Sequence, residues 1–297
     1  MVDGDAAVGH GPPVSRGDAP SWLDELVLEP GPPWHHMGLR AVDEAAWLVV
    51  DDRREAELAE KARLLAQRHD EVFAALDGTG PAGDETLALI TGWLARHRPD
   101  LVIPRPAPGA ADAHPLELAG RQVQEDLCLM DRRDGATRLV AASLCFPTHW
   151  RLRDKIGGSA AAIHGPVPHY REELAPRVDR FLERIPAGRI SVRRNWGVHD
   201  HDTLFVPEHP SPRPGITADD AGERLWLRSE RQTLRRLPET GAVLFTIRVQ
   251  FARLGVLAAR PDVARRLAAA ARGAAAAGTD RVPAHLDAVC AWLDRVR

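Results

Sequence analysis

The apolar positions change period along the chain. From Glu55 to Leu76 they fall at Leu58, Ala62, Leu65, Val72 and Phe73, and from Asp84 to Asp100 at Leu87, Ile90 and Leu94. Steps of three and four residues place such side chains on one stripe of a helix, so two helices joined by DGTGPAGD are predicted. From Val123 the period shortens to two. VQEDLCLM, RLVAASLCFP, RISVRRNWGVHD, GERLWLRSERQTL and GAVLFTIRVQF read as five strands, with Asp134-Gly135 as the two-residue hairpin turn between the first two. A long connection separates the second strand from the third. WRLRDKI and HYREELAPRVDRFLERI are the helices predicted in it, the latter with Tyr170, Leu174, Val178, Phe181 and Leu182 on one side. After Arg260 the pattern returns to helix, first Ala-rich and then started by Pro283.

This order predicts an α+β protein. Residues 1–20, rich in Gly, Pro and Asp without apolar periodicity, read as a disordered arm. Residues 21–115 form a helical N-terminal segment and Pro-rich linker, 116–255 the sheet domain, and 256–297 a helical tail that covers the sheet or a partner. No internal repeat is present.

Side-chain alternation on strands gives a sharper reading, because successive residues point to opposite faces. Ile190, Val192, Arg194, Trp196 and Val198 share a face; so do Leu225, Leu227, Ser229 and Arg231; so do Val123, Glu125, Leu127 and Leu129. Each row is mainly apolar and carries one charge. A buried charge is costly unless paired or solvated, so Glu125, Arg194 and Arg231 predict either a polar-lined cavity or a buried Glu-Arg ion pair. The run RSERQTLRR alternates with Glu230 and Gln232, as expected of a strand whose outer face is charged. His199, Asp200, His201 and Asp202 crowd a strand end, but neighbours there point to opposite faces, so a solvated loop is expected in place of a metal site.

Charge adds little to this picture. The 39 basic and 42 acidic residues leave a net −3, so neither nucleic acid nor an anionic membrane is called for. Only Lys61 and Lys155 are lysine, so arginine at any single position carries little weight. Three cysteines, Cys128, Cys145 and Cys290, show no C-x-x-C spacing and point to a reducing compartment. With the hairpin turn at Asp134-Gly135, Cys128 faces about Ala141, and a bridge to Cys145 needs a register slip. No apolar run approaches the roughly 20 residues that span a bilayer, and the first residues lack a signal-peptide pattern. A cytoplasmic protein is expected.

The segments VQEDLCLM, LCFPTHWRLRDKIG, IHGPVPHY, VRRNWGVHD, ERQTLRRLP and TGAVLFTIR, in that order, with MGL, Trp47 and KARLL before them, resemble the haem-dependent oxidative N-demethylase family over roughly residues 34–255. The resemblance implies haem b on a PAS-like fold, a five-stranded antiparallel sheet with helices between the second and third strands. It implies oxidative removal of a methyl group from a small secondary amine, with release of formaldehyde. A haem iron takes a neutral imidazole or a thiolate. By its match to IHGPVPHY, His164 is the implied axial ligand, with His169 and then His149 as alternatives; Cys128 or Cys145 as a thiolate ligand is weighed against the usual role of a buried cysteine as a small hydrophobe. In this reading Arg194 and Arg231 serve the propionates or oxygen at the iron. A carboxylate, Glu125 first and Asp126 second, holds the cationic amine. Neither G-x-G-x-x-G nor a Cys cluster is present for nicotinamide, flavin or iron–sulfur, so a separate reductase or electron-transfer subunit is expected, and an oligomer is open. The rival readings are a haem-based gas or redox sensor and an interaction subunit that has lost the cofactor.

Overall fold

The computed structural model describes residues 19–29, 38–103, 112–163, 175–278 and 283–297. Most of the predicted arm, and both His164 and His169, lie outside the described residues. Among the described residues, seven strands form one antiparallel sheet. They are β1 (Arg40–Val42), β2 (Phe73–Ala75), β3 (Asp126–Arg133), β4 (Ala136–Ser143), β5 (Ile190–His199), β6 (Trp226–Arg236) and β7 (Val243–Arg253). Their spatial order is β1-β5-β6-β7-β3-β4-β2. The five long strands are those predicted. The two short ones, one at each edge, come from the N-terminal segment and were not foreseen. Phe73, counted as the last apolar position of a helix, in fact opens β2 and pairs with Ser143.

The β3–β4 hairpin turns at Asp134 and Gly135, both at positive φ (49° and 80°), as a two-residue turn with this pair requires. A register shift opposite Leu129 and Met130 then adds one residue, Val140, to β4. The bulge moves Cys128 opposite Ala142 instead of Ala141. All three cysteines are free and buried.

The predicted first helix divides into α1 (Arg54–Gln67) and the short α2 (His69–Val72); the second is α3 (Gly80–His97). Pro81 sits in the first turn of α3, where its missing N–H costs nothing, and Arg96 and His97 sit in the last turn against the negative end of the dipole. Next come α4 (Pro115–Gly120), α5 (Ala160–Ile163), α6 (Ala175–Arg184), α7 (Ala221–Arg224), α8 (Pro261–Ala276) and α9 (Leu286–Leu293). The tail does cover the sheet. Val263, Ala264, Leu267, Ala268 and Ala271 of α8 pack in one cluster with Trp196, Leu227 and Ala252 of the strands and with Trp22 and Leu23 of the N-terminal segment. At this corner α7 approaches α9 so closely that a Cβ on Gly222 would stand 2.7 Å from the Trp292 ring.

A second cluster on the same face joins Trp47, Ile90 and Leu116 to Leu127, Leu129, Ile190 and Leu244. The opposite face packs against α5, α6 and the segment after β4. There Cys128, Ile247 and Val249 meet Phe146, Leu152 and Leu182. Both faces are therefore covered, the first by the N-terminal segment and the tail, the second by the connection between β4 and β5. No described helix is long and apolar enough to cross a membrane.

Candidate functional site

On the face covered by the N-terminal segment and tail, the two apolar clusters are separated by a row of arginines. Arg194 pairs with Arg231 across β5 and β6, and Arg231 pairs with Arg248 across β6 and β7. Direct cross-strand partners share a face, so the alternation reading of Arg194 and Arg231 places them correctly side by side. All three are buried, and like charges at this spacing need partners. Arg194 donates to Ser229 Oγ (3.1 Å) and Gln250 Oε1 (2.9 Å) and lies 3.5 Å from Glu25. Burial lowers its pKa to about 10, against the pull of Glu25. Arg231 donates to the Trp47 carbonyl (2.9 Å) and to that of Ala46. Arg248 meets Asp51 at 2.7 Å and Glu57 at 2.8 Å.

Glu125 lies at the edge of this row. Its Oε1 accepts from the Val49 N–H (2.8 Å), and its Oε2 has no partner among the described residues. Burial raises its pKa, while Arg248 and the Val49 N–H pull it down. Arg194, Arg231 and Glu125 are thus brought together, but around residues 46–57 and Glu25 of the same chain. Ion pairs and hydrogen bonds with the chain's own groups, the other outcome expected for these charges, account for much of the row, and Arg194 and Glu25 also line a cavity. Arg248 belongs to it and was overlooked, although the same alternation along Leu244, Thr246 and Arg248 would have found it.

Asp126 points the other way. Its carboxylate accepts from the Cys145 and Phe146 N–H groups, both at 2.8 Å, and lies 3.9 Å from Lys61. Lys61, fully buried, also donates to the carbonyls of Gly120 and Val123 (3.0 Å each) and of Glu125. Burial still pushes Asp126 up to about 6.

The opposite face has a different chemistry. Leu234, Phe245 and Phe251 lie on the central strands β6 and β7 yet are only half-buried, packed with Val178 and Phe181 of α6 and with Ile163 of α5. Arg228 stands over Phe251, its guanidinium 5.2 Å from the ring centroid, and is 2% exposed. It donates one hydrogen bond, to the Phe146 carbonyl (3.1 Å), and lies 3.5 Å from Glu230. Its Nε and Nη1 have no hydrogen-bond partner among the described residues. Glu230 in turn accepts from Thr148 Oγ1 (2.7 Å). The expected solvated outer face of β6 is therefore buried: alternation shows which residues share a face, but not whether something covers it.

Three histidines gather at the end of β5 on this face. His199 and His201 are two residues apart, and His149 joins them from the segment after β4, with ligand atoms all within 4.8 Å of one another. Burial, helped by Arg228 and the neighbouring imidazoles, lowers His149 to about 4 and His199 to about 3, and lowers His201 as well. Asp200, between the two strand-end histidines, points away and accepts from the Arg213 N–H. The expectation that His199 and His201 stand in a solvated loop is corrected: His201 is buried and His199 half-buried, near Arg228.

Cys128 and Cys145 are buried and held as thiols. Burial raises the Cys128 thiol far above its usual range and pushes Cys145 up to about 12.

A haem needs a flat apolar bed and cations for its propionates. The aromatic floor and the unpaired donors of Arg228 fit that need, and α5 and α6, which border the segment holding His164 and His169, pack on this same face. The charged row, by contrast, lies across the sheet from them. The sequence also matches, over residues 38–279, the family described as haem-dependent oxidative N-demethylase, alpha subunit-like. The match spans the whole sheet, both charged faces and most of the helical cover, and the chain belongs to that family of haem-dependent oxidoreductase subunits.

Proposed function

We propose that the chain is the haem-binding subunit of an oxidative N-demethylase. It holds haem b on the helix-bearing face of a PAS-like five-stranded core and acts with a separate electron-donating subunit on a small methylated amine. The observation that carries this reading is Arg228, a sealed cation with two unused donor nitrogens above an aromatic floor. Glu230 stands 3.5 Å away and balances part of the Arg228 charge, but buried donors left without acceptors are expensive, and an anionic group arriving there would supply them. The helices between β4 and β5 support the PAS-like assignment, and the family description supports the cofactor.

Bound haem supplies the redox centre at which the N-methyl group is oxidised and released as formaldehyde. The chain's part is to bind and orient. Arg228 would hold a negative charge of the cofactor, such as a propionate, by charge-assisted hydrogen bonds. Glu230, half-buried on the same face, offers the carboxylate that a protonated amine requires when it leaves water. His164 is the proposed axial ligand. The row of Arg194, Arg231 and Glu125 acts as scaffold, fixing residues 46–57 against the sheet.

An absorption spectrum of the purified protein, followed by assay of formaldehyde from a panel of methylamines with a chemical electron donor and oxygen, tests the reading. A Soret band that His164→Ala abolishes and His169→Ala leaves intact is expected. Formaldehyde release should fall at least tenfold in Glu230→Gln. A haem protein that binds CO or NO but neither responds to amines nor forms formaldehyde is better read as a sensor, and absence of any Soret band leaves the interaction-subunit reading.

A further inference from the structure

The His149, His199 and His201 cluster is not used in the demethylation reading. Two of its members come from the end of β5 and the bend that follows it. His199 ends β5, and His201 follows just past a bend at Asp200 that brings the two rings edge-on, with centroids 5.5 Å apart. The third comes from far away in sequence, on a segment whose backbone is shaped to deliver it. The His149 N–H donates to the Val206 carbonyl (2.7 Å), the Val206 N–H donates to the Pro147 carbonyl (3.1 Å), and Thr148 bridges Val206 in parallel. Held this way, His149 adopts φ 58°, a conformation disfavoured for any residue with a Cβ. The strained residue is the one whose ring meets the others, with centroids 5.6 Å from His199 and 3.8 Å from His209.

The imidazoles are not there to hydrogen-bond to one another. His149 Nε2 and His201 Nδ1 are sealed from water and have no partner among the described residues. A buried polar atom left unpaired needs an explanation, and two pointing into one small cluster have a common one.

We infer that His149, His199 and His201 form a three-imidazole site for a divalent transition-metal ion of the zinc class, with the fourth coordination position open. Metal–nitrogen bonds of about 2.1 Å in a tetrahedral site put the ligand nitrogens about 3.4 Å apart, so closing from the present spacing takes small ring rotations and no backbone rearrangement. Imidazole suits zinc, copper and nickel, and an all-nitrogen set disfavours magnesium and calcium. Arg228 is the neighbouring cation that opposes a metal, and Glu230 at 3.5 Å offsets it. The exposed ring of His209 stacks on His149 with centroids 3.8 Å apart but is not one of the three converging ligands. This inference is independent of haem binding and does not rest on the demethylation reading.

The test is zinc titration of the full-length, chelator-treated protein by calorimetry, with cobalt substitution to report geometry by its visible absorption. One equivalent of zinc per chain and a tetrahedral cobalt spectrum are expected. His199→Ala and His201→Ala should each weaken binding by at least about a hundredfold, more than the loss caused by removing an outer-shell partner, whereas His209→Ala should change it less than tenfold. Stoichiometric binding that survives the His199→Ala/His201→Ala pair, or no binding at micromolar zinc, overturns the site. So does a haem Soret band that disappears with these substitutions, which would assign the histidines to the haem. Should an alanine variant fail to fold, zinc protection of the wild-type histidines from acylation by diethyl pyrocarbonate decides. Protection at His149, His199 and His201 supports the site, and protection elsewhere or nowhere rejects it.

Discussion

Arg248 and Arg228 stand on neighbouring strands, face opposite sides of one sheet and are almost equally sealed from water, at 0% and 2% exposure. Arg248 is matched by two carboxylates, Asp51 and Glu57, at 2.7 and 2.8 Å. Arg228 has one carbonyl, a longer contact to Glu230 and two idle nitrogens. Arg248 leaves only Nε without a hydrogen-bond partner among the described residues, so the chain's own N-terminal segment pairs the charges of the first side more fully than those of the second. Stability and ligand binding are thereby separated: the charges that look most functional along the sequence hold the fold together, and those that look like surface are the ones with capacity to spare.

The sharpest break of this comparison is at Arg248. Arg248→Ala leaves buried Glu57 and half-buried Asp51 without their cation, and removing one member of a buried pair costs about 3–5 kcal/mol, read as a lower urea midpoint. Arg228→Met removes a cation whose donors are mostly idle, so it should cost no more than about 1 kcal/mol while weakening haem retention. Equal losses of stability at the two positions would erase the distinction between the faces.

Asp126 sharpens it through pH. Its carboxyl is raised from 3.8 to about 6, so the fold favours the protonated form. The sign follows from linkage: stability from this group is fully present below the unfolded pKa and is lost as pH rises through the folded one. Between pH 5 and pH 7 the wild type should lose on the order of 1 kcal/mol that Asp126→Asn does not lose. Urea midpoints of the two proteins at both pH values provide the check, and a constant difference between them rejects the shift.

A smaller effect is expected from Glu125→Gln, which keeps an acceptor for the Val49 N–H. Stability should change by no more than about 0.5 kcal/mol, and amine-induced changes in the haem spectrum should persist at the same concentrations. A tenfold weaker amine response would return Glu125 to the substrate and count against its scaffold role. The smallest effect is at the thiols. Cys128 and Cys145, buried and held as thiols, should resist iodoacetamide in the folded protein, and rapid labelling of either would show that the face is more open than its packing implies.

Much of this molecule is legible residue by residue. The period-two segments became β3 to β7, Asp134-Gly135 became the turn, and Arg194 and Arg231 came out side by side, because backbone geometry fixes side-chain direction locally and the sequence records it. The edge strands escaped notice, since three residues such as Phe73–Ala75 carry no period of their own and are strands only because β4 offers an open edge. The covering of each face was equally hidden. Arg231 is satisfied by the carbonyl of Trp47, 184 residues away, and His149 reaches His199 through a backbone pairing with Val206. Whether a charge is paired, idle or solvated depends on which distant segment lands on it, and that is decided by packing the whole chain around one sheet.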